Sequence, residues 1–234
     1  MRHWIKTCDE THQCTKAPAE LGLPKRLLST NYEIQGGVRL CSTNDLSLDT
    51  RYTTLSYVGG MRFADWAGLW GATLSNLAQL YQGIDYALLG QTLQDAIRVT
   101  HALGIGYIWI DTFCIVQDAV DEWQEDMLQL ESIYSNAYCV IVASSALDAT
   151  EGFLKRTQRS RAIVPLKSND DITISICEFI DDFQKDVDGS PHSTRGWAFQ
   201  ERVLAKRVIF FTSTQMYWQC GAGIRCETLT KLQK

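Results

Sequence analysis

The chain has 234 residues, 45% of them hydrophobic and 21% charged. A chain of this length buries enough surface to sustain a core without staples, and this composition excludes intrinsic disorder. The formal net charge of −5 argues against sequence-independent nucleic-acid binding, which needs a basic face.

Residues 1–35 read as an irregular N-terminal segment. Cys8, His12 and Cys14 stand close together there, followed by Pro18, Gly22 and Pro24. Residues 38–41 fit a short strand. Residues 52–58 are rich in β-branched and aromatic side chains and run into Gly59 and Gly60, which predicts a strand and then a loop. Residues 61–90 are aromatic and glycine-containing and read as an insertion with a short helix. In 91–103, Leu93, Ala96, Ile97, Thr100 and Leu103 follow helical spacing, and Gly104 stands where a C-cap is wanted.

Residues 107–110 read as a buried strand ending at Asp111, with a polar loop at 117–120. One helix is expected from Asp121, with Trp123, Met127, Leu130, Tyr134 and Ala137 on a stripe. Acids crowd its first turns, where the helix dipole favours them. Residues 138–144 form a continuous apolar run, the pattern of a parallel strand covered on both faces. This alternation of helix and strand predicts a parallel sheet with packed helices. Residues 146–192 read as a second insertion. It holds strands at 162–166 and 172–177, paired with each other as a small additional β region, and an acidic solvated loop at 181–188. A short helix at 195–204 and strands at 207–212 and 215–218 complete the pattern. No repeat or linker appears, so 1–234 reads as a single domain.

Eight cysteines fall below the density of a disulfide scaffold. The first residues lack an apolar signal core, and no apolar run approaches the roughly 20 residues of a membrane span. A cytoplasmic chain with free thiols and no membrane contact is expected.

Three segments carry chemistry. Leu55-Ser56-Tyr57 ends a strand, and ligands in α/β sheets bind beyond the carboxyl ends of strands. Ser56 and Tyr57 are therefore candidates to hold a sugar or a base, with ordinary core packing the alternative for Tyr57. Asp111 ends the next apolar strand, where a carboxylate is costly to bury without partners. Asp118 follows as a site candidate or a helix cap. Cys114 reads as a core thiol rather than a nucleophile, because His101 is the one histidine near it in sequence. In the third segment, Trp197 and Glu201 share a helix face at i, i+4, with Gln200 beside them. An aromatic wall there raises the carboxylate's pKa and presents it to a substrate. The alternative is a buried Trp197 with Glu201 paired to Arg195 or Arg202. Cys8, His12 and Cys14, with Cys220 and Cys226 as further donors, are zinc-type ligands without a CxxC knuckle. The expectation is no metal, with zinc at Cys8, His12 and Cys14 as the alternative. No Walker A loop, dinucleotide fingerprint, HExxH or GxSxG motif is present.

Together these segments resemble the fungal heterokaryon incompatibility (HET) family. Its marks are an LSYxWG strand, a WIDxxCINQ block leading to a helix with IYxxA, and an RGWxxQE segment. Here they read Leu55-Ser56-Tyr57-Val58-Gly59-Gly60, then Trp109-Ile110-Asp111 through Gln117 with Ile133-Tyr134-Ser135-Asn136-Ala137, then Arg195-Gly196-Trp197 through Glu201. Gly59 replaces the usual Trp and Val116 the usual Asn.

The resemblance implies a role in non-self recognition and regulated cell death. It also implies a fold similar to Toll/interleukin-1 receptor (TIR) domains: a flavodoxin-like, mostly parallel central sheet with helices on both faces. Leu55-Ser56-Tyr57, Val140-Ile141-Val142-Ala143-Ser144 and the Trp197-to-Glu201 spacing match marks of that second group. The implied activity is hydrolysis of NAD at the nicotinamide–ribose bond, with Glu201 catalytic. Ser56, Tyr57, Asp111, Asp118, Arg195, Trp197 and Gln200 are the implied substrate-binding residues. NAD is then substrate, no cofactor is needed, and a homo-oligomer acting under an upstream sensor is implied. The alternative is a non-enzymatic signalling and oligomerisation module.

Overall fold

Four apolar runs, all expected as strands, become the parallel centre of one sheet. The computed structural model describes residues 1–12, 14, 22–31, 38–59, 71–156, 163–167, 173–177, 181–227 and 231–232. In chain order the elements are α1 (Arg2–Thr11), β1 (Arg26–Ser29), β2 (Arg39–Ser42), β3 (Thr53–Ser56), α2 (Leu77–Gln82), α3 (Gln91–Ala102), β4 (Tyr107–Trp109), α4 (Asp111–Cys114), α5 (Val120–Leu128) and α6 (Leu130–Asn136). There follow β5 (Cys139–Val142), β6 (Ile163–Lys167), β7 (Thr173–Cys177), α7 (Gly196–Leu204), β8 (Arg207–Phe211), β9 (Met216–Cys220), β10 (Gly223–Cys226) and β11 (Lys231–Leu232). Nine strands join in the order β11-β10-β9-β8-β5-β3-β4-β1-β2, and β6 pairs β7 separately.

The α/β class and the small extra β pair match expectation, but the large sheet is mixed rather than mostly parallel. Only β4, β3, β5 and β8 run parallel; the strands outside them pair antiparallel. The reason is connection length. Segments with helices carry the chain from β3 to β4 and from β4 to β5, whereas tight turns follow β8 and β9, and a tight turn returns the chain antiparallel. Every position of β3, β5 and β8 is buried, so both faces of the centre are covered. Thr54 stands opposite Trp109, and Ser56 opposite Val142. The carboxyl ends of these strands therefore lie side by side.

The N-terminal segment is not irregular throughout. Trp4, Ile5 and Cys8 form the buried face of α1. All four positions of β1 are buried between β2 and β4. Arg26 disguises that strand in sequence, yet it is held by Cys114 O at 2.8 Å and Asp126 at 3.2 Å. The single helix expected from Asp121 breaks at Gln129 into α5 and α6, where Ser132 Oγ bonds back to the Gln129 carbonyl at 2.8 Å. Nor is 181–188 a solvated loop. Phe183 packs edge-on against Phe210 and Tyr217, Val187 is buried, and Asp186 accepts from the Tyr217 hydroxyl at 2.8 Å. The expected insertion at 61–90 falls partly outside the described residues, and its described part contributes α2.

Candidate functional site

Ser56 is the last residue of β3, Asp111 opens α4 just past β4, and Arg195 caps α7, which carries Trp197, Gln200 and Glu201. The fold thus gathers all three segments at the carboxyl ends of β3 and β4. Glu201 accepts hydrogen bonds from Ser56 Oγ and from the Tyr134 hydroxyl. Ser56 Oγ also lies 2.6 Å from His192 Nε2. With Glu201 ionised, the serine proton points to the carboxylate, so the Nε2–H tautomer of His192 completes the chain. His192 is 4% exposed. It sits on a short 3₁₀ turn, Pro191–Thr194, immediately before α7.

Burial pushes Glu201 above the usual glutamate value, and the like charge of Asp111 adds to this. Ser56, Arg195 and Tyr134 oppose the shift without reversing it. Burial also raises Asp111, against a 2.7 Å hydrogen bond from Thr112 N and the charge of Arg195. His192 is lowered to about 4 by burial and then by Arg195, so it is neutral at pH 7. Two part-buried carboxylates beside one guanidinium are the type of group that functional sites perturb.

A cleft of about 240 Å³ opens here. Asp111, Gln117, Arg195, Gln200 and Glu201 supply its polar lining, and Trp109, Ile115, Tyr134 and Leu204 are among its apolar walls. Trp123 and Trp197, 41% and 53% exposed, also line it. Their exposure puts them toward the mouth, with both rings available to a planar ligand.

Not every expected residue joins the cleft. Tyr57 is buried, with its hydroxyl 3.2 Å from Thr112 Oγ1 and its carbonyl accepting from Arg195 Nη1. It braces Arg195 from the core and offers no stacking face. Asp118 Oδ1 accepts from Leu74 N at 2.8 Å, and the residue is absent from the lining. It fastens the turn after residue 71. Ser56 acts on Glu201 from behind rather than lining the cleft. Cys114 is buried, and that burial drives its thiol up to about 12, as a core cysteine requires. Val116 is fully buried and bridges Ala72. A Cβ on Gly59 would meet nothing within 4 Å.

His192 and Tyr134 complete the site and were not legible as site residues. Tyr134 shows in sequence as part of an apolar stripe and of the IYxxA segment, neither of which assigned it to the site. His192 has no local motif, and Ser56, which it contacts, lies 136 positions away. Elsewhere, Cys8, His12 and Cys14 come together with Cys220, their ligand atoms all within 4.8 Å of one another. Cys226 is not in that group.

Among known families, the model described as Heterokaryon incompatibility protein (HET) matches residues 52–201. That span runs from the residue before β3 to Glu201 and includes both ends of the Ser56–Glu201 bond. No curated protein and no solved structure matches the chain.

Proposed function

The chain belongs to the heterokaryon incompatibility (HET) family, and from that premise we propose that it acts in cell death by hydrolysing NAD at the nicotinamide–ribose bond. The observation that carries this reading is Glu201, a carboxylate at the recess of a tryptophan-rimmed cleft, held by Ser56 and Tyr134. The order of the four parallel strands supports it. Taken in chain sequence they lie second, first, third, fourth, as in flavodoxin-like sheets, whose ligands sit at the strand carboxyl ends.

Cleavage passes through an oxocarbenium-like state, as in glycoside hydrolysis. The C–N bond breaks with its electron pair passing to the nicotinamide nitrogen, which becomes neutral. Water adds to the anomeric carbon and loses a proton to Glu201 or to solvent. No acid is needed for the leaving group. Glu201 binds the ribose hydroxyls and faces the positive charge that develops at the anomeric carbon. Trp197 stacks on a ring, with Trp123 available for the same contact. The N–H groups of Arg195 not used on Tyr57 meet pyrophosphate, and Gln200 and Asp111 orient polar groups. About 240 Å³ is smaller than the roughly 300–1,000 Å³ of small-molecule sites. The cleft therefore takes the nicotinamide–ribose end and leaves the adenosine end outside.

Self-association belongs to this reading, and α7 exposes Phe199 and Val203, four positions apart and turned away from Trp197 and Glu201, as apolar surface for a second copy. The test is nicotinamide release from NAD by purified chain at concentrations where light scattering reports self-association. Wild type should release nicotinamide, and Glu201→Gln should be slower by about 10²–10³-fold or more. Intact NAD after incubation with associated wild type would overturn the enzymatic reading. If Glu201→Gln still kills cells, the non-enzymatic signalling module takes its place.

A further inference from the structure

Cys8 lies on the buried face of α1, His12 ends that helix, Cys14 follows it, and Cys220 ends β9. These are three thiols and one imidazole from opposite ends of the chain. We propose that they form a closed, structural zinc site that ties the N-terminal helix to the sheet.

Bonds of about 2.3 Å to sulfur and about 2.0–2.1 Å to nitrogen give a tetrahedral S···N edge of about 3.6 Å and an S···S edge of about 3.8 Å. Cys220 Sγ already lies 3.5 Å from His12 Nδ1. The full set spans no more than 4.8 Å, so contraction by about 1 Å closes the tetrahedron. The turn after Cys220 is shaped to admit Cys14, since a Cβ on Gly221 would stand 3.3 Å from its sulfur.

A second observation is independent of the ligands. Arg207 is 2% exposed and stands opposite Cys220 in the β8–β9 register. Its Nη2 pairs with Asp9 at 2.6 Å, yet Nε and Nη1 have no partner among the described residues. Two buried guanidinium nitrogens left unpaired are costly. A zinc ion bound by three thiolates and a neutral imidazole carries a net single negative charge. Arg207, paired with Asp9 through Nη2, keeps Nε and Nη1 unengaged among the described residues, opposite Cys220, where they would be available to support the thiolates.

Four protein ligands leave no open position, which marks a structural rather than a catalytic centre. Its place agrees. Cys220 is level with Arg207, at the amino end of β8, whereas Ser56 and the cleft are at the carboxyl ends of the parallel strands. The site closes a loop from residue 8 to residue 220 and acts on the fold.

The experiment is metal analysis of the full chain purified under reducing conditions, with cobalt substituted for zinc. One zinc ion per chain is expected, and the cobalt form should show the d–d bands of a tetrahedral thiolate site. Cys14→Ser and Cys220→Ser should each lose the metal, Cys41→Ser should keep it, and Arg207→Met should weaken zinc about 10–100-fold in chelator competition. Glu201→Gln should bind zinc as wild type does, which separates this proposal from the enzymatic one. Where the cysteine variants fail to fold, the wild-type cobalt spectrum decides. Absence of zinc after reduction and reloading, an octahedral cobalt spectrum, or a native disulfide among Cys8, Cys14 and Cys220 would each overturn it.

Discussion

Glu201 is held in its ionised form by Ser56, Tyr134 and Arg195, against burial and the charge of Asp111. Burial wins, so the carboxyl titrates above its ordinary 4.5. If the ionised form faces the developing cation, activity falls as pH drops through that raised value. The acidic limb of kcat/KM against pH should then sit above the usual glutamate position. Asp111→Asn removes a like charge and should move the limb toward lower pH, which a pH profile of nicotinamide release measures. An unmoved limb would mean that Asp111 does not act on Glu201. At this scale much was legible. The i, i+4 spacing of Trp197 and Glu201 placed both on one helix face, and both line the cleft; the strand end placed Ser56, which meets Glu201. The contact between Ser56 and His192 was not legible, because it joins residues 136 positions apart.

At the scale of elements, α3 shows how far periodicity reaches. Its buried Leu93, Ala96, Ile97 and Thr100 are those the helical spacing predicts. Asp95 lies on the same buried face and looks anomalous until its partners are seen. Its Oδ2 accepts from Phe153 N at 2.9 Å and Leu154 N at 3.0 Å, and Oδ1 takes Gln91 Nε2 at 2.8 Å. The chain enters that contact through Gly152 at φ +78°, where an added Cβ would meet Gln91 Cγ at 2.6 Å. Asp95 therefore clamps residues 152–154 to α3. Asp95→Asn swaps one accepting oxygen for a donor and should cost about 1–3 kcal/mol, read as a lower urea midpoint with little change in the proposed nicotinamide release. Helix ends and breaks were less legible than helix faces. Gln129 interrupts the helix beginning at Val120 with no glycine or proline to announce it, and α1 was hidden in a segment whose composition reads as irregular.

For the whole molecule, His192 couples the site to stability. Its folded pKa is about 4 against an ordinary 6.5. Between those values the unfolded chain takes up a proton that the folded chain refuses. Stability is therefore lost as pH falls from 6.5 toward 4, by about 3 kcal/mol in total for this group. His192→Gln should flatten that part of the curve, as followed by melting temperature against pH. An unchanged slope would place the acid sensitivity elsewhere. At the same scale, Arg26 joins β1 to α4 and α5, and Arg207 joins β8 to α1 through Asp9. Both are buried cations whose partners lie about 90 to 200 residues away in sequence. No helix among the described residues is long and apolar enough to cross a membrane.

The amino-acid sequence by itself determined the α/β class, the central strands, the faces of α3 and α7, and the segments that meet at the cleft. These follow from periodicity, residue type and short spacing, which are local properties of a chain. Only the tertiary structure decided that the sheet is mixed, that Glu201 is held by Ser56 with His192 behind it, that Tyr57 braces rather than stacks, and that Cys220 completes the cluster at Cys8, His12 and Cys14. Each of these depends on which distant segments pack together. Ser56 meets Glu201 across 145 positions and His12 meets Cys220 across 208. Such meetings are set by burial of the whole core and the register of the sheet, and no local pattern encodes them.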